Sequence, residues 1–162
     1  MKLLCFTLLL STFFTPIICL SESQGSFGYE DAETPSEAVG MIKSTILASQ
    51  VMIGECKSRY PSGSEEFDNN LHKWQTQESE NIKKAEYHWS VMESMDAKLL
   101  EMPTQISDVI KGQLELLEKF RKDDSEEFLK EHCQNYFANL ASGIWRLRTP
   151  KAYDYMDKTP SQ

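Results

Sequence analysis

Four stretches of helical periodicity, separated by prolines and turn residues, constrain the fold of this chain more than any other feature. In the first stretch, apolar residues recur at spacings of three, four and seven until Pro61 ends the pattern. Thr34 and Glu37 stand where a capping box is expected, with a proline between them at the first helical position. Cys56 lies on the apolar stripe of this predicted helix, so we expect its side chain to face the interior.

The second stretch covers residues 64–100 and keeps the same period, but its middle, 75–81, is entirely polar. Because it contains no proline or glycine, the pattern favours one long helix, which could be bent. Two shorter helices divided by a kink are the alternative. On either interpretation, the core need not contact this polar middle.

The third and fourth stretches complete the predicted fold. Residues 104–122 follow Pro103, and residues 124–147 begin where Asp124 and Glu127 are able to form a second capping box. Alternation typical of strands does not persist anywhere. The sequence therefore predicts an all-α, antiparallel bundle of about four helices, one of them long, over residues 34–147.

The segment after the bundle, residues 148–162, is predicted to be a loosely held C-terminal tail. It nevertheless contains three large side chains that could pack back onto the bundle, namely Tyr153, Tyr155 and Met156.

The N-terminus has the pattern of a secretory signal peptide. A single positive charge, Lys2, precedes an apolar run, and we assign residues 1–19 to the signal, with cleavage possible up to residue 23. A membrane anchor is disfavoured, because Pro16 and several hydroxyls interrupt a run that would need about 20 apolar residues. We therefore expect a secreted or periplasmic protein with no anchor after cleavage. Residues 20–33 then form a flexible acidic leader.

Cys5 lies in the predicted signal and Cys19 lies in it or at its end. Loss of the signal therefore leaves Cys56 and Cys133 as the pair to consider. Two cysteines in an oxidising compartment most often pair, so we predict a disulfide between them. Free or metal-bound thiols are the alternative, and that alternative lacks nearby ligands. In the chain-entropy model, closing a loop of about 78 residues stabilises a fold by roughly 4 to 5 kcal/mol.

Charge limits the classes of partner. The chain carries a net charge of −8, and loss of Lys2 with the signal makes it −9. This acidity argues against nucleic acid and against anionic membrane surfaces, both of which favour basic patches. One basic cluster stands out, formed by Arg146, Arg148 and Lys151, and Tyr87 points off the apolar stripe of its helix. These four residues are possible contacts for a protein partner, although cations that favour the helix dipole are the simpler explanation of the cluster.

No catalytic constellation is recognisable. His72 and His88 are sixteen positions apart, about 24 Å along one helix, so they cannot share a metal ion unless that helix breaks. His132 is adjacent to Cys133 but points about 100° away from it on a helix. Nucleophile motifs and glycine-rich phosphate loops are absent from the sequence. We therefore expect no enzyme activity, no cofactor and no metal.

One segment carries a likeness to known proteins, and its residues are Cys56, Tyr60, Pro61, Phe67, Leu71 and Trp74. This pattern resembles one in small uncharacterised exported proteins of Gram-negative bacteria, which also tend to have a second cysteine in a late helix, where Cys133 stands. The likeness covers about 20 residues and that cysteine. It implies a periplasmic helical protein with a structural disulfide, and it implies no activity.

The function that these features favour is that of a soluble periplasmic protein that binds another protein, such as an inhibitor, an immunity-type protein or an envelope factor. A secreted four-helix signalling protein of a eukaryote is one alternative. A small-ligand carrier or an enzyme that uses the bundle interior is another, and a large pocket lined by His72 or His88 would favour it.

Overall fold

The structure of the protein, a computed structural model, describes residues 31–121 and 124–160. All regular elements in these two ranges are helical, which confirms the all-α class. The seven α-helices are α1 (Pro35–Arg59), α2 (Ser64–Gln77), α3 (Ser79–Met95), α4 (Met102–Phe120), α5 (Ser125–Ala141), α6 (Ile144–Arg148) and α7 (Pro150–Lys158). Short 3-10 turns at Pro61–Gly63 and Ala97–Glu101 join α1 to α2 and α3 to α4. The predicted signal peptide, its cleavage site and the leader up to residue 30 lie outside the described residues.

Helix α1 is the element around which the others assemble. Helices α3, α4 and α7 pack along it, while α2 packs mainly against α5. The predicted capping box at its start is confirmed: the Thr34 hydroxyl accepts the Glu37 N–H at 3.2 Å, and the Glu37 carboxylate accepts the Thr34 N–H at 3.2 Å. Its apolar stripe is buried and includes Ile42, Ile46 and Cys56. With seven α-helices, the described part of the chain has more helices than the four or so predicted.

The prediction of one long helix over residues 64–100 is wrong. Helix α2 ends at Gln77 and α3 begins at Ser79, with Glu78 between them at φ −103° and ψ 15°. The Glu78 N–H still donates to the Trp74 carbonyl at 2.9 Å, so the helical path is bent there and not abandoned. The cause is tertiary, because the side chains of Glu78 and Asn81 turn into the protein and are buried. The polar middle therefore contacts the core.

The fourth predicted helix is also shorter than expected. Helix α5 ends at Ala141, and Gly143 has a φ of +74°, a left-handed conformation that glycine adopts without steric cost. The predicted capping box at Asp124 and Glu127 is wrong, because Asp124 makes no side-chain cap. Its carboxylate instead accepts a hydrogen bond from Arg121 at 3.1 Å.

The C-terminal segment is not a loose tail over its described length. Residues 150–158 form α7, whose Ala152, Tyr153 and Met156 are buried against the rest of the core. Asp31, which is 120 positions before Lys151 in the sequence, caps the start of this helix. Its carboxylate accepts the Lys151 N–H at 2.8 Å and the Ala152 N–H at 3.0 Å. An aspartate in this position satisfies donors that no helical carbonyl can reach.

Candidate functional site

The predicted disulfide is confirmed. The two sulfur atoms of Cys56 and Cys133 are 2.10 Å apart and the Cα atoms 5.8 Å apart, which is ordinary disulfide geometry. Both side chains are at most 1% exposed, so the bond lies inside the core and joins α1 to α5. Its depth gives it a structural role.

A partly buried ion pair centred on Glu78 joins the α2–α3 bend to the C-terminal helices. The Arg146 guanidinium donates to both Glu78 carboxylate oxygens, at 2.8 and 2.9 Å, in a bidentate pair. It also donates to Asp157 at 3.3 Å and lies 4.6 Å from the ring centroid of Tyr153. Asn81 adds a hydrogen bond to Glu78 at 3.1 Å. These contacts explain why the helix bends at Glu78.

This network changes the electrostatics of its members. The hydrogen bond with Glu78 raises the pKa of Arg146, which keeps the guanidinium charged. Burial, with the Glu78 carboxylate nearby, raises the pKa of Tyr153 and keeps its phenol neutral. The arrangement therefore holds a fixed positive charge, that of Arg146, against the Glu78 and Asp157 carboxylates.

The four predicted partner contacts lie in different settings. Arg146 already binds two carboxylates of its own chain. Arg148 is exposed, with its guanidinium 5.4 Å from the ring centroid of Trp145, and the side chain of Lys151 is exposed on α7. Tyr87 is exposed on α3 and meets the ring of His88 edge-on. A partner role for these residues stays a prediction.

The three histidines lie on three helices: His72 on α2, His88 on α3 and His132 on α5. Within residues 31–121 and 124–160, no group of three or more His, Cys, Asp or Glu side chains could hold a metal ion. The same part of the chain contains no helix with the length and apolar character needed to cross a bilayer.

The outer face of α4 is an exposed apolar surface that the sequence pattern did not distinguish from the core. Among the described residues, five of the seven exposed large hydrophobic side chains fall between residues 95 and 120: Met95, Leu100, Val109, Leu116 and Phe120. The last three are 58%, 51% and 82% exposed. Their spacings of seven and four place them on one face of α4, with Gln113 between them. We call these four α4 residues the α4 surface.

A crevice of about 290 Å³ adjoins the α4 surface. It is lined by Met52, Ile110, Gln113, Leu114, Leu116, Leu117 and His132. Gln113 and Leu116 belong to both features, so the crevice extends the apolar surface toward α1 and α5. His132 is the ionisable group in this lining, and burial lowers its pKa.

We therefore expect the protein to become less stable as the pH falls and His132 becomes protonated. Because its pKa is lower in the folded protein than in the unfolded chain, the unfolded chain binds the proton more readily as pH falls through about 6.5. We expect the urea midpoint to decrease between about pH 7.5 and about pH 5.5, and the decrease to be smaller in His132→Gln. His72→Gln, at an exposed position, is the matched control. An identical decrease in wild type and His132→Gln would contradict the assignment.

A second cavity, which we call the α1 cleft, lies between α1 and the C-terminal helices. Its volume is about 340 Å³, and its lining residues are Met41, Ile42, Ser44, Thr45, Ala48, Tyr136, Trp145, Thr149 and Tyr153. A shallower depression of about 630 Å³ shares Met41 and Ser44 with it. Neither cavity is lined by His72 or His88, so the pocket that would have favoured a ligand carrier or enzyme of that kind is not one of these two.

Comparison with known protein families, with curated proteins and with solved structures finds no match to this chain. The likeness to exported Gram-negative proteins thus stays a prediction. The class that fold and site define is an all-helical protein with a disulfide buried in its core, an exposed apolar helix face and an apolar cleft.

Proposed function

We propose that this protein is an exported accessory protein that binds another protein through the α4 surface. The observation that carries the proposal is the concentration of exposed apolar side chains on one face of α4, beside a crevice with an apolar lining. Contiguous apolar patches on a protein surface mark interaction sites, because water contact with them is unfavourable. Inhibitors, immunity-type proteins and envelope factors all act in this way.

Charge favours a different protein over a second copy as the partner. The chain carries a net charge of −8, so two copies repel one another at long range. Asp108, Glu115 and Lys119 are exposed along one side of the apolar face of α4, which leaves this side with a net charge of −1. We therefore expect the partner to present an apolar segment with a basic rim, since such a rim would steer association.

The buried disulfide supports an exported location. Disulfides persist in oxidising compartments and are rare where thiols are kept reduced. A cross-link inside the core, joining α1 to α5, also gives α4 a rigid support, since α4 packs on both of these helices. A rigid support lowers the conformational entropy that binding costs.

Site-specific photo-cross-linking in the native host tests this proposal. A photoreactive residue at Gln113, in the middle of the α4 surface, should give one discrete adduct with a second protein, while the same residue at Lys73 on α2 should not. Adding Leu116→Gln and Phe120→Gln should reduce the adduct roughly tenfold or more, because both are candidate anchors.

Two outcomes would overturn the proposal: no adduct at Gln113, or an adduct between two copies of this chain. If Gln113 gives none and a photoreactive residue at Arg148 gives one, the partner lies on the basic cluster instead.

A further inference from the structure

We propose that the α1 cleft binds a small, uncharged aromatic molecule that carries a hydrogen-bond donor. The cleft is formed by residues of α1, α5, α6 and α7 and shares no residue with the α4 surface or its crevice. The inference is therefore independent of the proposed protein binding at the α4 surface.

Size is the first argument. A cavity of about 340 Å³ falls in the range of small-molecule sites. It is more than twice the volume that suffices for one benzene ring in an apolar protein interior, so it suits a molecule of two or three rings. Ile42, Thr149 and Tyr153 are buried, while Thr45 and Ala48 are partly exposed. A ligand can thus enter from the partly exposed side and lose most of its contact with water.

The walls of the cleft favour an aromatic ligand. Three rings, those of Tyr136, Trp145 and Tyr153, come from the C-terminal half of the chain and face the aliphatic side chains of α1. Aromatic rings interact favourably in offset or edge-to-face contacts, and the thioether of Met41 adds a polarisable neighbour.

The polar groups of the cleft argue for a donor on the ligand. The hydroxyls of Ser44, Thr45 and Thr149 each donate to the carbonyl four residues earlier, at 2.7, 3.0 and 3.0 Å. With their hydrogens used in this way, their oxygens are left as acceptors. An N–H or O–H on the ligand would satisfy them.

An anionic ligand fits the cleft poorly, because the described lining offers it acceptors and no cation. The cleft lining, as the structure describes it, contains no lysine, arginine or histidine. Of the two guanidinium groups beside its rings, that of Arg146 at Tyr153 already binds Glu78 and Asp157, and that of Arg148 at Trp145 is exposed to solvent outside the lining. A buried carboxylate would therefore lose its hydration with no cation in the cleft lining to compensate it.

Titration of the oxidised, exported protein with N-phenyl-1-naphthylamine tests the inference, because this neutral probe has aromatic rings and one N–H donor. We expect saturable fluorescence enhancement with one probe per chain and a Kd of roughly 1 to 100 µM. Ala48→Phe should raise the Kd of the probe about tenfold or more, since the new ring occupies the cleft. Gln50→Phe places the same ring at an exposed position of α1 and should leave the Kd unchanged.

Circular dichroism checks that each variant is folded, and Thr45→Leu replaces Ala48→Phe if the latter does not fold. Excess indole should displace the probe, and laurate, which has a carboxylate, should not. The inference is overturned if no saturable binding occurs or if the cleft variants bind like wild type. Displacement by laurate and not by indole would also overturn it. So would loss of probe binding in Leu116→Gln/Phe120→Gln, which would place the probe at the α4 crevice.

Discussion

Replacing Cys56 and Cys133 together with alanine is expected to lower the free energy of unfolding by about 4 to 5 kcal/mol. The two residues are 77 positions apart, so the cross-link removes many conformations from the unfolded chain. Both sulfur atoms also lie in the core, where alanine leaves a small void. Urea denaturation at neutral pH, followed by circular dichroism, measures the change.

Reduction of the wild-type protein is the matched control, since it breaks the same bond without removing the sulfur atoms. The reduced protein should unfold at a urea concentration close to that of the double variant. Equal midpoints for oxidised and reduced wild type would contradict the prediction. Mass spectrometry that finds both thiols reduced in the native compartment would contradict the exported location as well.

Arg146→Ala is expected to lower the free energy of unfolding by about 2 to 3 kcal/mol. The change leaves the Glu78 carboxylate, which is 5% exposed, without the cation that compensates its burial. The effect should be smaller than for a fully buried pair, because the Arg146 side chain is 41% exposed and solvent screens part of the interaction. Urea denaturation again provides the measurement.

Arg148→Ala is the matched control for this second prediction. Arg148 is a nearby arginine on the same helix, but it is exposed, so its loss should change stability by no more than about 0.5 kcal/mol. Arg146→Lys should fall between the two, because an ammonium cannot form the bidentate pair. Equal, small losses in Arg146→Ala and Arg148→Ala would show that the buried pair contributes little.

Predictions from the sequence succeeded where the physical cause is local. The start of α1 is determined by Thr34 and Glu37, three residues apart, whose reciprocal hydrogen bonds form within one turn. The disulfide followed from counting the cysteines, because only one pair remained after the predicted signal.

The candidate site was predicted less well. Val109 and Phe120 are apolar in a helix whose buried face is also apolar, and the periodicity of the sequence cannot tell which of these side chains the other helices cover.

The sequence by itself thus determined the all-α class and the start of α1, because these depend on neighbours along the chain. It also determined the cross-linked pair, because counting the cysteines left one choice. Only the tertiary structure decided the bend at Glu78, the docking of α7 and the exposure of the α4 surface. Glu78 meets Arg146 across 68 positions, and Asp31 reaches Ala152 across 121. Contacts over such separations depend on how whole helices pack, and no local pattern encodes that.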